Sequence, residues 1–235
     1  MDKLYSFTYG DSRFFMADIS DCVLENSRSH GFSMEKQLIS GKIQAFACCL
    51  AAMQKYPGAS VTVIAKYPKK KLVFGAIAEA NGIVRGYCEK FNPSVITEGV
   101  ILEVNLQLSV GDYTGVVCDK NLITAIEQYF KVSTQINAKC YMKIKENNWC
   151  CLVGEQLPNG TDLQCVWSSL KLEDIHNKKN DGKYNFFEDK YLKYGCTCSK
   201  EKVRQMLKTV EMNNDYREKG EISVVCKFCG KKYII

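Results

Sequence analysis

The sequence predicts an α+β fold, in which an antiparallel-rich sheet packs with helices and is followed by a linker and a small C-terminal module. Three observations predict it. Helical apolar spacing early in the chain gives way to segments of period two separated by tight turns. The composition, 46% hydrophobic and 25% charged in 235 residues, is typical of a globular chain. A charge-rich segment then precedes a tail with paired cysteines, so we expect a core domain at 1–160, a linker at 161–194 and a module at 195–235.

Two helices are expected before the first strands. Apolar spacing predicts a helix from Ala17 to His30 that ends at Gly31, a residue suited to a helix C-terminus. A second helix begins near Ser33 and ends before Pro57. Its apolar stripe consists of Ile39, Ile43, Phe46, Leu50 and Met53. Since these residues step by three and four, we expect this helix to be the central helix of the core.

The strands follow, with a further helix among them. Asn81-Gly82 predicts a tight turn between the second and third strands. Leu122, Ile126 and Phe130 recur every four residues and predict a helix over Asn121–Phe130. The predicted strands are Ser60–Lys66, Lys71–Ala78, Gly82–Cys88, Val100–Leu108, Tyr113–Cys118, Ala138–Lys145 and Asn148–Val153.

The last third of the chain changes in composition. Residues 173–193 are rich in charges of both signs and poor in apolar residues, which predicts a linker that is marginally stable if helical. Residues 195–235 are too few for a hydrophobic core of their own and need another stabilising element. Within them we expect a helix over Lys200–Val210 and short strands over Glu221–Val225 and Lys231–Ile235.

Cysteines supply that element. The chain has 13 of them, and four form two close pairs, Cys196 with Cys198 and Cys226 with Cys229. Four thiolates arranged in this way can close the tetrahedral site that Zn²⁺ favours, so the predicted cofactor is zinc. We interpret the other nine as small buried hydrophobic residues. They are Cys22, Cys48, Cys49, Cys88, Cys118, Cys140, Cys150, Cys151 and Cys165.

Several classes of protein are disfavoured by the sequence. No apolar run is long enough to cross a bilayer, and the N-terminal residues lack the features of a secretory leader, so we expect a cytoplasmic protein without a membrane partner. There is no Gly-rich phosphate loop, and two histidines, His30 and His176, offer little for a catalytic triad. We therefore expect no enzyme, and we interpret both histidines as surface or core residues rather than ligands.

Several motifs resemble one family. The tail segments Gly195–Val203 (GCTCSKEKV) and Gly220–Tyr233 (GEISVVCKFCGKKY) closely resemble the zinc module of the bacterial redox-regulated chaperone family, heat shock protein 33. In the first part of the chain, Gly111–Val117 (GDYTGVV) and Gly82–Tyr87 (GIVRGY) are similar to strands of that family. The segment at 161–194 is shorter than the family's linker.

The resemblance implies a function. In that family the reduced, zinc-bound form is inactive, and the oxidised form holds unfolding proteins without ATP. The implied disulfides join Cys196 to Cys198 and Cys226 to Cys229, which expels the zinc. Loss of the zinc would then unfold the tail and loosen the linker, so the implied partners are unfolded clients and, on oxidation, a second copy of the chain. The linker residues expected to become exposed to clients are Leu172, Ile175, Phe186, Phe187 and Tyr191.

Two other functions are compatible with the sequence. The first is a zinc-ribbon protein that binds nucleic acid through basic residues of the tail. Those residues are Lys200, Lys202, Arg204, Lys208, Lys227, Lys231 and Lys232. Against it, the net charge of the whole chain is only +6, and the acidic residues interspersed in the tail dilute the patch. The second is a scaffold protein that keeps the fold without a redox switch.

Overall fold

A computed structural model of the chain describes residues 1–54, 56–94, 96–158, 160, 162–178, 182–187, 189–209 and 222–235. The α-helices among them are α1 (Asp21–His30), α2 (Met34–Met53), α3 (Leu122–Tyr129), α4 (Leu163–Ser169), α5 (Leu172–His176) and α6 (Lys200–Thr209). The strands are β1 (Lys3–Tyr9), β2 (Ser12–Ile19), β3 (Ser60–Tyr67), β4 (Leu72–Glu79), β5 (Ile83–Lys90), β6 (Val100–Leu108), β7 (Gly111–Asp119), β8 (Ala138–Lys145), β9 (Asn148–Gln156), β10 (Tyr184–Phe186), β11 (Lys190–Tyr191), β12 (Lys193–Tyr194), β13 (Ser223–Val225) and β14 (Lys232–Ile234).

The strands of the described residues form two large sheets and one small one. The first sheet has the order β10-β1-β2-β9-β8, with β11 also pairing with β1, and all of its pairs are antiparallel. The second has the order β12-β5-β4-β3-β6-β7, in which only the β12–β5 pair is parallel. A hairpin of β13 and β14 forms the third. The α+β, mainly antiparallel fold class is confirmed.

Helix α2 is the central helix of the core. It packs against β2 and β9 of the first sheet and against β3 and β4 of the second. Phe46, Ala47 and Cys49 on this helix are fully buried. The helix begins after Ser33, whose hydroxyl accepts a hydrogen bond from the Lys36 amide. The predicted central helix is therefore confirmed at both ends, because the capping residue and the apolar stripe are local features of the sequence.

The first predicted helix begins too early. Ala17 and Ile19 lie in β2, between β1 and β9, and α1 begins only at Asp21. The carboxylate of Asp2 accepts hydrogen bonds from the backbone amides of Ser20, Asp21 and Cys22, at 2.7–3.0 Å. Since strand pairing involves residues distant in the chain, apolar spacing alone could not separate the end of β2 from the start of α1. The end of α1 at Gly31, with φ of 60°, matches the prediction.

The residues after 160 add to both large sheets. Strands β10 and β11 extend the first sheet, and β12 extends the second. Leu163, Val166 and Ile175 join a second apolar cluster that covers Phe7 and Phe14 of the first sheet. The predicted linker thus carries short helices and strands that pack on the core.

The remaining predictions concern the tail and the cysteines. Helix α6 and the β13–β14 hairpin match the predicted elements, while Val210 and Glu221, the predicted helix end and strand start, lie outside the described residues.

Six of the nine cysteines expected in the core are buried: Cys22, Cys48, Cys49, Cys140, Cys150 and Cys151. Cys88 is half-buried. The expectation is wrong for Cys118 and Cys165, which are exposed, because they lie on outward faces of an edge strand and a short surface helix. No helix among the described residues is long and apolar enough to cross a membrane.

Candidate metal centre

The four tail cysteines converge on one point. The sulfur atoms of Cys196, Cys198, Cys226 and Cys229 all lie within 4.8 Å of one another. The Sγ atoms of Cys196 and Cys226 are 3.6 Å apart, and those of Cys198 and Cys229 are 3.4 Å apart. A regular tetrahedron with Zn–S distances of ~2.3 Å has sulfur–sulfur edges of ~3.8 Å. The donor set therefore fits a structural Zn²⁺ in chemistry and in size.

Local hydrogen bonds form the backbone turns that position each pair of cysteines. Cys226 follows β13, and its amide donates to the Lys231 carbonyl at 2.9 Å, while the Gly230 amide donates to the Cys226 carbonyl at 2.8 Å. These bonds close a turn in which Gly230 adopts φ of 70°, a conformation that favours glycine. Cys196 and Cys198 lie between β12 and α6, just before Ser199, whose hydroxyl accepts a hydrogen bond from the Lys202 amide at the start of the helix.

Tyr233 on β14 supports one of the sulfurs. Its hydroxyl donates to the Cys198 sulfur at 2.9 Å and lies 3.1 Å from the Cys198 carbonyl oxygen. Burial would raise the pKa of Cys198, but the hydrogen bond from Tyr233, together with those from the neighbouring thiols, outweighs it and lowers the pKa to about 7. At Cys196 and Cys229 burial is the largest influence, and the pKa of both thiols is raised. Cys198 is thus the sulfur best prepared to be a thiolate.

The module contacts the core through Phe228, which lies between Cys226 and Cys229 in the chain. Its ring meets the ring of Tyr87 edge-on, with centroids 5.2 Å apart, and the Arg85 guanidinium lies 5.5 Å from its centroid. Its carbonyl oxygen accepts hydrogen bonds from His30 Nε2 at 2.9 Å and from the Tyr194 hydroxyl at 3.1 Å. The sequence carries no signal for these contacts, because they join segments that are far apart in the chain.

The histidines serve as packing residues. Neither belongs to the group of metal-ligating side chains found among the described residues. His30 contacts the module through Phe228, as described. His176, at the end of α5, is hydrogen-bonded through Nε2 to Asp18 at 2.6 Å and through Nδ1 to the Leu172 carbonyl at 2.8 Å. Its ring also meets Tyr5 edge-on. His176 therefore ties the segment after 160 to the first sheet.

The candidate linker residues occupy different environments. Ile175 is fully buried in the second apolar cluster, and Leu172 and Phe186 are half-buried against the same cluster. Phe187 and Tyr191 are 51% and 59% exposed. The structure thus places three of the five against the first sheet and two at the surface.

The whole chain is similar to proteins of one family. A family model described as "Hsp33 protein" matches residues 2–235. The "33 kDa chaperonin" of Shewanella baltica is 24% identical over 259 residues, covering 98% of this chain and 90% of the relative. The protein of the same description from Shewanella sediminis is 22% identical over 263 residues, covering 97% and 90%.

A solved structure shows the same fold. The crystal structure of the 33 kDa chaperonin (heat shock protein 33 homolog) from Thermotoga maritima has a TM-score of 0.76 and 17% sequence identity. The match covers 100% of this chain and 94% of that one. The predicted resemblance is therefore confirmed by the family match and by the fold. With its four clustered cysteines and a family match from residue 2 to residue 235, the chain belongs to the Hsp33 protein family.

Proposed function

We propose that this protein is a redox-regulated chaperone that holds unfolding proteins without ATP and without catalysing a reaction. Family membership supports the chaperone role. The observation that carries the redox part is the convergence of four cysteine sulfurs within 4.8 Å in a module whose described residues belong to neither large apolar cluster. In this proposal Cys196, Cys198, Cys226 and Cys229 bind one zinc in the reduced protein. The compartment that suits reduced thiols is the cytoplasm.

Oxidation by a peroxide would remove the metal. Two thiolates of one pair lose two electrons and form a disulfide, while one hydrogen peroxide takes up those electrons and two protons and becomes two waters. One such step joins Cys196 to Cys198, and a second joins Cys226 to Cys229. Because disulfide sulfurs are poor zinc ligands, the four cysteines would then no longer hold a Zn²⁺. The module would lose the free energy of zinc binding, which is about 10–16 kcal/mol in structural zinc peptides.

Release of the module would be passed to the linker through backbone pairing. The Gly195 amide, next to the first ligand, donates to the Val84 carbonyl at 3.2 Å. Just before it, Lys193 and Leu192 donate to the carbonyls of Gly82 and Asp2 at 3.0 Å. A module that unfolds removes the anchor at the end of β12. We propose that the linker then opens and exposes Leu172, Ile175, Phe186, Phe187 and Tyr191 to clients.

We propose that one domain stays folded in both redox states and that two copies pair in the active form. Residues 1–160 would persist as a folded domain, since most of the larger apolar cluster lies within them. The opened linker would leave apolar surface on that domain, and in the active form two copies would pair through it. The module of residues 195–235 would act as the sensor.

One experiment tests the redox part. Reduced protein and protein treated with hydrogen peroxide under mild heat are compared for zinc content, free thiols and suppression of aggregation of a heat-denatured client, measured by light scattering. We expect about one zinc per chain before treatment, loss of that zinc afterwards, and suppression only after treatment. Nuclease treatment should leave the suppression unchanged. Release of zinc without any suppression would show that the fold is kept and the switch is not.

A further inference from the structure

Two cysteines of the first sheet lie close together, away from the candidate metal centre. The Sγ atoms of Cys140 on β8 and Cys151 on β9 are 3.9 Å apart. Cys140 is opposite Val153 and Cys151 is opposite Met142, so the two cysteines are diagonal neighbours, and both belong to the larger apolar cluster. Since the sulfurs of a disulfide are ~2.05 Å apart, a shift of about 2 Å would bring these two to bonding distance.

The hairpin that carries the two cysteines has a fixed register. Strands β8 and β9 are joined by Glu146 and Asn147, whose φ angles are 49° and 63°, and Lys145 lies opposite Asn148. A two-residue turn of this kind determines which residues of the two strands face each other. The diagonal placement of the two cysteines therefore follows from the turn and does not require a chance rearrangement.

The neighbouring thiols are placed differently. Cys49 on α2 has its sulfur 3.3 Å from the Cys151 carbonyl oxygen and 3.5 Å from the Phe15 carbonyl oxygen, so this thiol is directed at the backbone. Cys150 belongs to the second apolar cluster, on the other face of β9. The geometry thus singles out Cys140 and Cys151 as the pair that can bond.

Cys140 is the more accessible member of the pair. Strand β8 is at the edge of the first sheet among the described strands, and the Cys140 amide donates to the Glu127 carboxylate on α3 at 3.2 Å. A groove of about 650 Å³ opens beside this contact, lined in part by Glu127, Lys131 and Ala138. Cys140 is 7% exposed, whereas Cys151 is fully buried and burial raises its pKa. A small oxidant that enters along the groove would reach Cys140 first.

We propose that Cys140 and Cys151 are a second redox site of this protein, which hydrogen peroxide converts to a disulfide between β8 and β9. The Cys140 thiolate attacks one peroxide oxygen, so an S–O bond forms, the O–O bond breaks, and the other oxygen takes up a proton and leaves as water. The Cys151 sulfur then attacks the sulfur of the sulfenic acid. An S–S bond replaces the S–O bond, and the hydroxyl leaves with the thiol proton as a second water. Two thiols thus lose two electrons to one peroxide.

The disulfide would tie an edge strand to its neighbour. A cross-link between β8 and β9 limits fraying of β8, because the two strands can no longer separate at this point. The site shares no residue with the four tail cysteines, so the inference stands or falls separately from the proposed function. It adds a redox reaction that strengthens the first sheet under oxidising conditions.

The test maps the bond in the full chain. Protein is treated with enough hydrogen peroxide to consume the exposed thiol of Cys118, remaining thiols are blocked with N-ethylmaleimide during unfolding in guanidinium, and the sample is digested with trypsin without reduction. Trypsin places Cys140 in the peptide 140–143 and Cys151 in the peptide 146–171, which also contains Cys150 and Cys165. Mass spectrometry measures the linked pair of peptides. Untreated protein is processed in parallel to measure exchange during the work-up.

We expect at least about tenfold more of the linked pair after treatment than before it, and its loss on incubation with dithiothreitol. Cys140→Ala and Cys151→Ala should abolish it. Cys150→Ala is the matched control, because it removes a buried thiol next to Cys151 on the other face of the strand, and it should keep the link. In hydrogen exchange, β8 amides of the oxidised unchanged protein should exchange about tenfold more slowly than those of oxidised Cys140→Ala.

Two results would overturn the inference. The first is unchanged protein in which Cys118 is oxidised while Cys140 is still recovered as the free thiol. The second is a linked pair that persists in Cys151→Ala, which would assign the bond to Cys150 or Cys165. The first result needs no variant, so it remains decisive even if a substitution in the core prevents folding.

Discussion

The hydroxyl of Tyr233 donates a hydrogen bond to the sulfur of Cys198, one of the four candidate metal ligands, at 2.9 Å. It lowers the pKa of Cys198, despite the opposing effect of burial. Tyr233 is itself buried on β14. A phenol in this position stabilises the thiolate form of Cys198, the form that would bind a metal.

Tyr233→Phe should weaken zinc binding. The substitution keeps the ring and removes the donor, so the affinity should fall by about tenfold, within the range for residues that support metal ligands. The measurement is competition with a chromophoric chelator at pH 7. Tyr191→Phe, at an exposed tyrosine on β11, is the control and should leave the affinity unchanged. Equal affinity of the Tyr233→Phe and unchanged proteins would show that the hydrogen bond does not support the metal.

Asp2 should stabilise the start of α1. Its buried carboxylate accepts hydrogen bonds from the amides of Ser20, Asp21 and Cys22. We expect Asp2→Ala to lower the free energy of unfolding by about 1–3 kcal/mol, because it removes a charged cap and leaves buried amides without an acceptor. Urea unfolding at pH 7 measures this. Asp2→Asn, which keeps an oxygen acceptor, should lose less, and an equal loss for both variants would mean that the charge alone matters.

The effect of Asp2 should depend on pH. Burial raises its pKa, but the three amide hydrogen bonds prevail and lower it below its ordinary value of 3.8. A depressed carboxyl pKa stabilises the folded state above the unfolded-state pKa, and this stabilisation is lost as the pH falls through the folded-state pKa. The difference in unfolding free energy between the unchanged protein and Asp2→Asn should therefore be constant from pH 7 to pH 5 and shrink below about pH 4. A difference that stays constant down to pH 2 would contradict this.

Ile175 should hold the linker closed. It is fully buried in the second apolar cluster, and truncating a buried Ile to Ala costs about 2–5 kcal/mol. Because α5 is short, we expect Ile175→Ala to increase hydrogen exchange in residues 163–176 without loss of zinc. If the proposed switch is right, this variant should also hold a client at lower peroxide concentration. Val116→Ala, at an exposed position of β7 outside the linker, is the control. Unchanged exchange in Ile175→Ala would mean that other contacts hold the linker.

A chain that ends at Gly160 should fold by itself but with lower stability. It keeps most of the larger apolar cluster and loses Leu163, Val166 and Ile175 from the smaller one. We expect a cooperative thermal melt at a lower temperature than the full chain, together with binding of a hydrophobic dye to the uncovered face of the first sheet. A melt without cooperativity would mean that the linker is part of the domain.

The sequence by itself determined the parts of this protein that depend on neighbouring residues. Cys196 with Cys198, and Cys226 with Cys229, are recognisable as candidate metal ligands because each pair is close in the chain and can share one turn. The apolar stripe of α2 and the period of β3 to β9 are likewise local. The residues quoted in the two tail segments were enough to indicate the family.

Only the tertiary structure decided which distant residues meet. Ile19 has helical spacing with Val23, yet it is a strand residue because it pairs with Trp149 of β9. The local sequence does not show that Phe228 contacts the core. The second sheet brings Tyr87 and Arg85 against its ring. Such contacts leave no periodic signal, because the free energy that selects them comes from burial and pairing between segments that are far apart in sequence.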